Sequence, residues 1–156
     1  MAFRDPFGLM DVRYTNEESK NYVNSLRENS PKFDKAMKGL EDDKSILVII
    51  GIGNTAETSC GAIRRTGGCT SLMLNPRAGY QREVRIALDP EGLREDVAAS
   101  PDIYFDMQTV VAHEVYGHAV PYRKGGICDD AGVMPCSVKR ENTIREDAGL
   151  PRRPRY

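Results

Sequence analysis

The chain has 156 residues, 40% hydrophobic and 29% charged, a length that folds around one core and calls for no second domain. No apolar run approaches the roughly 20 residues that cross a bilayer, so no membrane span is expected. With 22 Lys and Arg against 23 Asp and Glu, the average field does not attract nucleic acid or acidic lipid, and Arg152, Arg153 and Arg155 read as a solvated basic tail.

The opening stretch, MAFRDPFGLM, lacks the basic segment and long apolar run of a secretory signal. From Thr15 to Leu40 the pattern is helical: Thr15 with Glu18 forms a capping box, and Tyr22, Val23 and Leu26 follow at helical spacing. Pro31 divides this stretch, and the second piece, from Lys32, is expected to stop near Gly39. Ser45 to Ile50 (SILVII) reads as a buried strand. The stretch GIGNTAETSCG after it lacks the third glycine of a dinucleotide loop and reads as a turn or extended loop.

Cys69 to Leu74 and Glu83 to Leu88 flank the turn residues Asn75, Pro76 and Gly79, which suggests a hairpin or two neighbouring strands. In the second, Val84 and Ile86 share one face and Arg85 and Ala87 the other, as in a sheet with one wet side. From Pro101 to Val120 the pattern is helical again, with Asp102 as cap. A Gly- and Pro-rich loop covers Pro121 to Pro135, and a last helix from about Ser137 to Ala148 closes at Gly149 and Pro151. The order of elements predicts an α+β domain. The four cysteines, Cys60, Cys69, Cys128 and Cys136, form two locally spaced pairs, open to two short-loop disulfides or, less favourably, a four-thiolate zinc site.

The chemistry concentrates in Ala112-His113-Glu114-Val115-Tyr116-Gly117-His118-Ala119, which holds both histidines of the chain. Where two histidines lie four apart on a helix, both rings bind zinc and an intervening glutamate activates water. Here they are five apart, roughly 140° around a regular α-helix, too far to share one ion. A local π-bulge would bring them back to one face, and Gly117 lies where the extra residue must be absorbed. His113 and His118 are thus the expected zinc ligands and Glu114 the general base.

The HExxGH string at His113 to His118 resembles that of dipeptidyl peptidase III, a zinc peptidase with a glutamate ligand on a later helix. A closer resemblance is to HExxGHA metallopeptidase toxin domains at the ends of rearrangement-hotspot (Rhs) repeat proteins. It extends to Glu141-Asn142-x-x-Arg145-x-x-x-Gly149-Leu150-Pro151 with Arg153 and Tyr156, and to Asp5-Pro6-Phe7-Gly8-Leu9, similar to the junction where an Rhs shell meets its toxin. Residues 15–100 carry no resemblance.

The resemblance implies a zincin-like fold with a small mixed or antiparallel sheet, the active-site helix carrying HEVYGH, and a last helix supplying the third ligand. It implies residues 1–14 as a junction remnant and residues 15–156 as the toxin domain. It further implies delivery into a target cell by a specialised secretion system, a protein or peptide substrate, and a cognate immunity protein. Glu141 is the expected third ligand, with Glu146 next and Cys128, Cys136 or Asp129 behind. A zinc amidase acting on peptidoglycan, or a binding module with structural zinc closed by Cys128 or Cys136, are the other readings. Tyr116, Tyr122, Arg145 and Tyr156 are all able to donate to an oxyanion, Tyr116 being better explained by packing. Residues 51–82 are available as cleft walls.

Overall fold

The computed structural model describes residues 11–58, 60, 64–126, 128 and 135–156. A four-stranded sheet lies against a layer of helices, in the order β1 (Val12–Tyr14), α1 (Glu17–Asn29), α2 (Pro31–Asp42), β2 (Ile46–Ile52), β3 (Gly68–Met73), β4 (Arg82–Leu88), α3 (Pro90–Ala99), α4 (Met107–Val111), a π-helix (Ala112–Ala119), α5 (Val120–Arg123) and α6 (Cys136–Asp147). The mixed α+β character matches the sequence reading.

Strand order is β1-β2-β4-β3, with β1, β2 and β4 parallel and β3 antiparallel to β4 at the edge. Ile46, Val48 and Ile50 of β2 and Val84, Ile86 and Leu88 of β4 point to the helices, where they bury Val23 and Leu26 of α1, Phe33, Met37 and Leu40 of α2, and Val111, Val115 and Ala119 of the rod. On the other face Arg85 is exposed, while Glu83 is buried beneath Arg77 and Arg85, paired at 3.4 and 3.1 Å. Val12–Tyr14, expected to belong to the junction remnant, are β1, and the DPFGL stretch lies outside the described residues.

Several local expectations are corrected by side-chain partners. Asn16, not Thr15, caps α1, accepting from the Ser19 amide at 3.0 Å. Pro31 does divide the helix, and Ser30 ends α1 and caps α2 through the Phe33 amide at 3.1 Å. The second helix runs past Gly39 to Asp42, because Gly39 leaves room for Arg123, whose guanidinium would lie 2.6 Å from a Cβ there and pairs with Asp43 at 2.8 Å.

α3, which no apolar stripe announced, starts at Asp89-Pro90, with Asp89 accepting from the Gly92 amide at 3.1 Å. Asp106 rather than Asp102 caps the rod beginning at Met107, in a capping box with Thr109. Both cysteine pairs are disulfides, Cys60–Cys69 and Cys128–Cys136, so the four-thiolate zinc site is excluded.

Candidate metal centre and its cavity

Met107 to Arg123 is one helical rod whose middle, Ala112–Ala119, is π-helical. The Val120 amide donates to Val115 O, five residues back, so residues five apart come to lie above one another. In this register the donor for Tyr116 O would be residue 121, a proline without an N–H. That orphaned carbonyl is taken by Arg140, whose Nε donates to it at 2.6 Å while the guanidinium stacks on the Tyr116 ring at 4.2 Å. Gly117 supplies the clearance for α6: a Cβ there would sit 3.2 Å from Ser137 O.

The π segment turns both histidines inward. Nε2 of His113 lies 3.3 Å from Nε2 of His118, with the rings edge to face at 75°. Two imidazole nitrogens bound at about 2.0–2.1 Å to one tetrahedral centre stand about 3.3–3.4 Å apart, so the pair has the spacing of two ligands of one zinc ion. Among the described residues no third His, Cys, Asp or Glu completes such a group. Asp129 lies outside the described residues, and Cys128 and Cys136 are held in their disulfide.

Glu141 does not join the Nε2 pair. Its Oε1 meets Nδ1 of His113 at 2.7 Å, on the opposite edge of the ring, and also accepts from Arg153 at 3.0 Å, while Oε2 accepts from Arg145 Nε at 2.5 Å. Both oxygens of Glu141, the expected third ligand, are thus engaged by His113, Arg153 and Arg145. Glu146, its runner-up, is exposed.

The charges of this cluster are mutually fixed. Burial alone would push the His113 imidazole down, but the hydrogen bond to Glu141 and the nearby Glu114 carboxylate reverse this and raise it. Burial likewise opposes ionisation of Glu141, and His113, Arg145 and Arg153 together hold its carboxyl below the usual range. Arg145 is fully buried and spends its other donors on Tyr104 O at 2.7 Å and Pro151 O at 2.9 Å, leaving Nη2 without a hydrogen-bond partner.

Glu114 is only 6% exposed and leans the other way, toward the sheet edge. Thr70 of β3 donates to its Oε2, and Gly68 lets it in: a Cβ at Gly68 would be 2.7 Å from Glu114 Cγ. Neither residue was singled out by sequence reasoning, since a Thr and a Gly on an edge strand have no signature until the strand is docked on the rod. His113, Glu114 and Glu141 line a cavity of about 210 Å³ with Thr66, Arg153 and Tyr156. His118 is not part of that lining, so of the histidine pair only His113 contributes to the cavity wall.

Of the oxyanion candidates, Tyr116 and Tyr122 pack against the core, Arg145 is buried on Glu141, and Tyr156 lines the cavity. The basic tail is not simply solvated. The Arg153 side chain is only 13% exposed and lies against Glu141, Phe105 and Tyr156, and Arg155 pairs with Asp102 at 2.7 and 2.9 Å. Among the described residues no helix is long and apolar enough to cross a membrane. Comparison with protein-family models, curated proteins and solved structures gives no match for this chain.

Proposed function

We propose that this chain is a zinc-dependent hydrolase, a metallopeptidase of zincin-like design that acts as a toxin or effector domain. The single observation that carries the reading is the 3.3 Å approach of two Nε2 atoms across a five-residue spacing, achieved by a π-helix that a regular fold has no need to build. His113 and His118 would hold the ion, and Glu141 would keep Nδ1 of His113 as the donor so that Nε2 offers its lone pair. Zinc bound there would lower the pKa of a water toward about 7 and polarise a carbonyl.

The chain's own part is proton handling. Glu114, buried beside the pair and oriented by Thr70, takes a proton from the attacking water and returns it to the leaving amine. Glu114 lines the cavity, where a substrate amide would lie. In the same reading the domain is delivered by an Rhs-type shell into a target cell, cuts a protein there, and is held in check in the producer by an immunity protein; the sequence motifs at both ends support this.

A second reading has one observation in its favour. Two disulfides in so short a chain suit an oxidising compartment, where the amides of peptidoglycan stems are exposed. The third reading, structural zinc closed by cysteine sulfur, would need Cys128 or Cys136 released from the disulfide they form. Glu114→Gln tests the function: toxicity on expression in the cytoplasm or, separately, in the periplasm is expected to vanish in the variant while zinc content is kept. A variant as toxic as its parent contradicts the base assignment, and toxicity confined to the periplasmic form selects the second reading.

A further inference from the structure

The cavity beside Glu114 uses one face of the sheet, and the other face holds a second opening. Side chains alternate along β3: Gly68 and Thr70 meet Glu114, while Cys69 and Met73 turn the opposite way. They join Ile49 and Gly51 of β2 and Ala87 of β4 in lining a groove of about 490 Å³. Among the described residues none of its lining comes from a helix.

Two observations bear on what this face is built to meet. β1, β2 and β4 are parallel, and parallel strands are ordinarily covered by helices on both faces, which requires apolar side chains on both. β2 meets that requirement. Ile46, Val48 and Ile50 enter the helix-side core, while on the other side Leu47 is fully buried and Ile49 stays half-buried in the groove. Charge is the second observation. Arg77 and Arg85 are the charged residues of the lining, with 53% and 49% of their side chains exposed. Both pair with Glu83, whose side chain is 1% exposed, so the carboxylate is hidden and an approaching partner meets two guanidinium groups. A second copy offering the same face would set arginine against arginine.

We propose that this groove docks an amphipathic helix of a partner protein. The apolar stripe of that helix lies over Ile49, Met73 and Ala87, and acidic residues along its flank pair with Arg77 and Arg85. The helix supplies the layer that the parallel strands lack on this side. It seats across β3 from Glu114, outside the cavity that Glu114 lines, so docking goes beyond the hydrolase reading and does not require it.

The probe is a synthetic helical peptide with a leucine stripe flanked by glutamates, and its control carries lysine at every glutamate position. Fluorescence anisotropy with the full chain is expected to show binding of the acidic peptide, weakened by added salt, and at least ~10-fold weaker binding of the basic one. Exposed ion pairs contribute modestly, so the double variant Arg77→Gln/Arg85→Gln is expected to lose about 10-fold in affinity for the acidic peptide. Arg94→Gln, on α3, is expected to keep the parent's affinity. Amide NMR of the parent reads the place of contact without any substitution: the signals of Ile49, Gly51 and Ala87 are expected to shift. Equal affinity for the two peptides, no binding of the acidic one, or shifts that leave those three residues out overturns the proposal. Concentration-dependent self-association of the parent that the double variant abolishes gives the groove to a second copy and overturns it as well.

Discussion

Glu141 meets Nδ1 of His113 at 2.7 Å, so the carboxylate grips the edge of the imidazole that faces away from His118. In the proposed zinc site this contact would let Glu141 set the tautomer and tilt of the ring. Such outer partners typically contribute 10–100-fold in metal affinity. Glu141→Gln is therefore expected to bind zinc about 10–100-fold more weakly in a competition titration, yet to fill at saturating metal. Complete loss of binding at saturation would return Glu141 to the role of direct ligand.

Among the described residues Arg145 is the largest fully buried side chain, and it neutralises Glu141 from inside the fold. Removing one partner of a buried pair leaves the other charge poorly compensated, at a cost of about 3–5 kcal/mol. Arg153 and His113 remain against Glu141 in Arg145→Met, so the lower end of that range is expected. Urea denaturation measures it; a loss below about 1 kcal/mol contradicts the structural weight given to this cluster.

The Glu114 carboxylate fits only because Gly68 has no side chain. Gly68→Ala, whose Cβ would also lie 2.8 Å from Val110 Cγ1, is expected to push Glu114 off Thr70 and lower thermal stability, removing hydrolysis while sparing zinc stoichiometry. An active Gly68→Ala protein shows that Glu114 works from a different position.

Acid stability has an identifiable contributor away from the site. The Ser45 hydroxyl, and then Arg123 against the opposing effect of burial, hold the Asp43 carboxyl down to about 2. A group lowered in the folded state stabilises fully above its unfolded pKa of about 3.9, and that stabilisation is lost as pH falls through about 2. Asp43→Asn is expected to flatten the decline in unfolding free energy between those two values and to lower stability at neutral pH. Parallel curves for variant and parent would remove Asp43 from the account.

Each disulfide closes a short loop, of sequence separation 9 and 8, for which chain entropy gives about 2–3 kcal/mol. Cys60–Cys69 anchors the start of β3 one residue from Thr70, and Cys128–Cys136 ties down the first residue of α6. A reducing agent is expected to lower the thermal midpoint by several degrees. No shift means the thiols are not paired in solution.

Much of this was readable from residue order, for a physical reason. The apolar run SILVII and the alternating EVRIAL became strands at nearly the expected bounds, while the helix carrying Val110 and Val115, expected from Pro101, begins at Met107. The five-residue histidine spacing called for a wide turn, and the rod is π-helical there. α3 was invisible because Gly92 is its one buried residue, so it has no apolar stripe to read. The first strand has three residues, too few for any period. Caps were misassigned at Thr15, next to the true cap Asn16, and at Asp102, one helical turn before the true cap Asp106, because only the amide each accepts from decides. The function of Glu141, Thr70 and Gly68 depends on which edge of a ring or strand faces the cavity, which packing determines and spacing does not.

The account stands on the shared grip of His113 and His118 on one ion. Zinc titration of the parent, His113→Ala and His118→Ala, with X-ray absorption at the zinc edge, tests it most directly. One zinc per chain with two imidazole nitrogens at about 2.0–2.1 Å, and at least 100-fold weaker binding in either variant, is the predicted result. Equal affinity in all three proteins, or a first shell without imidazole, contradicts it.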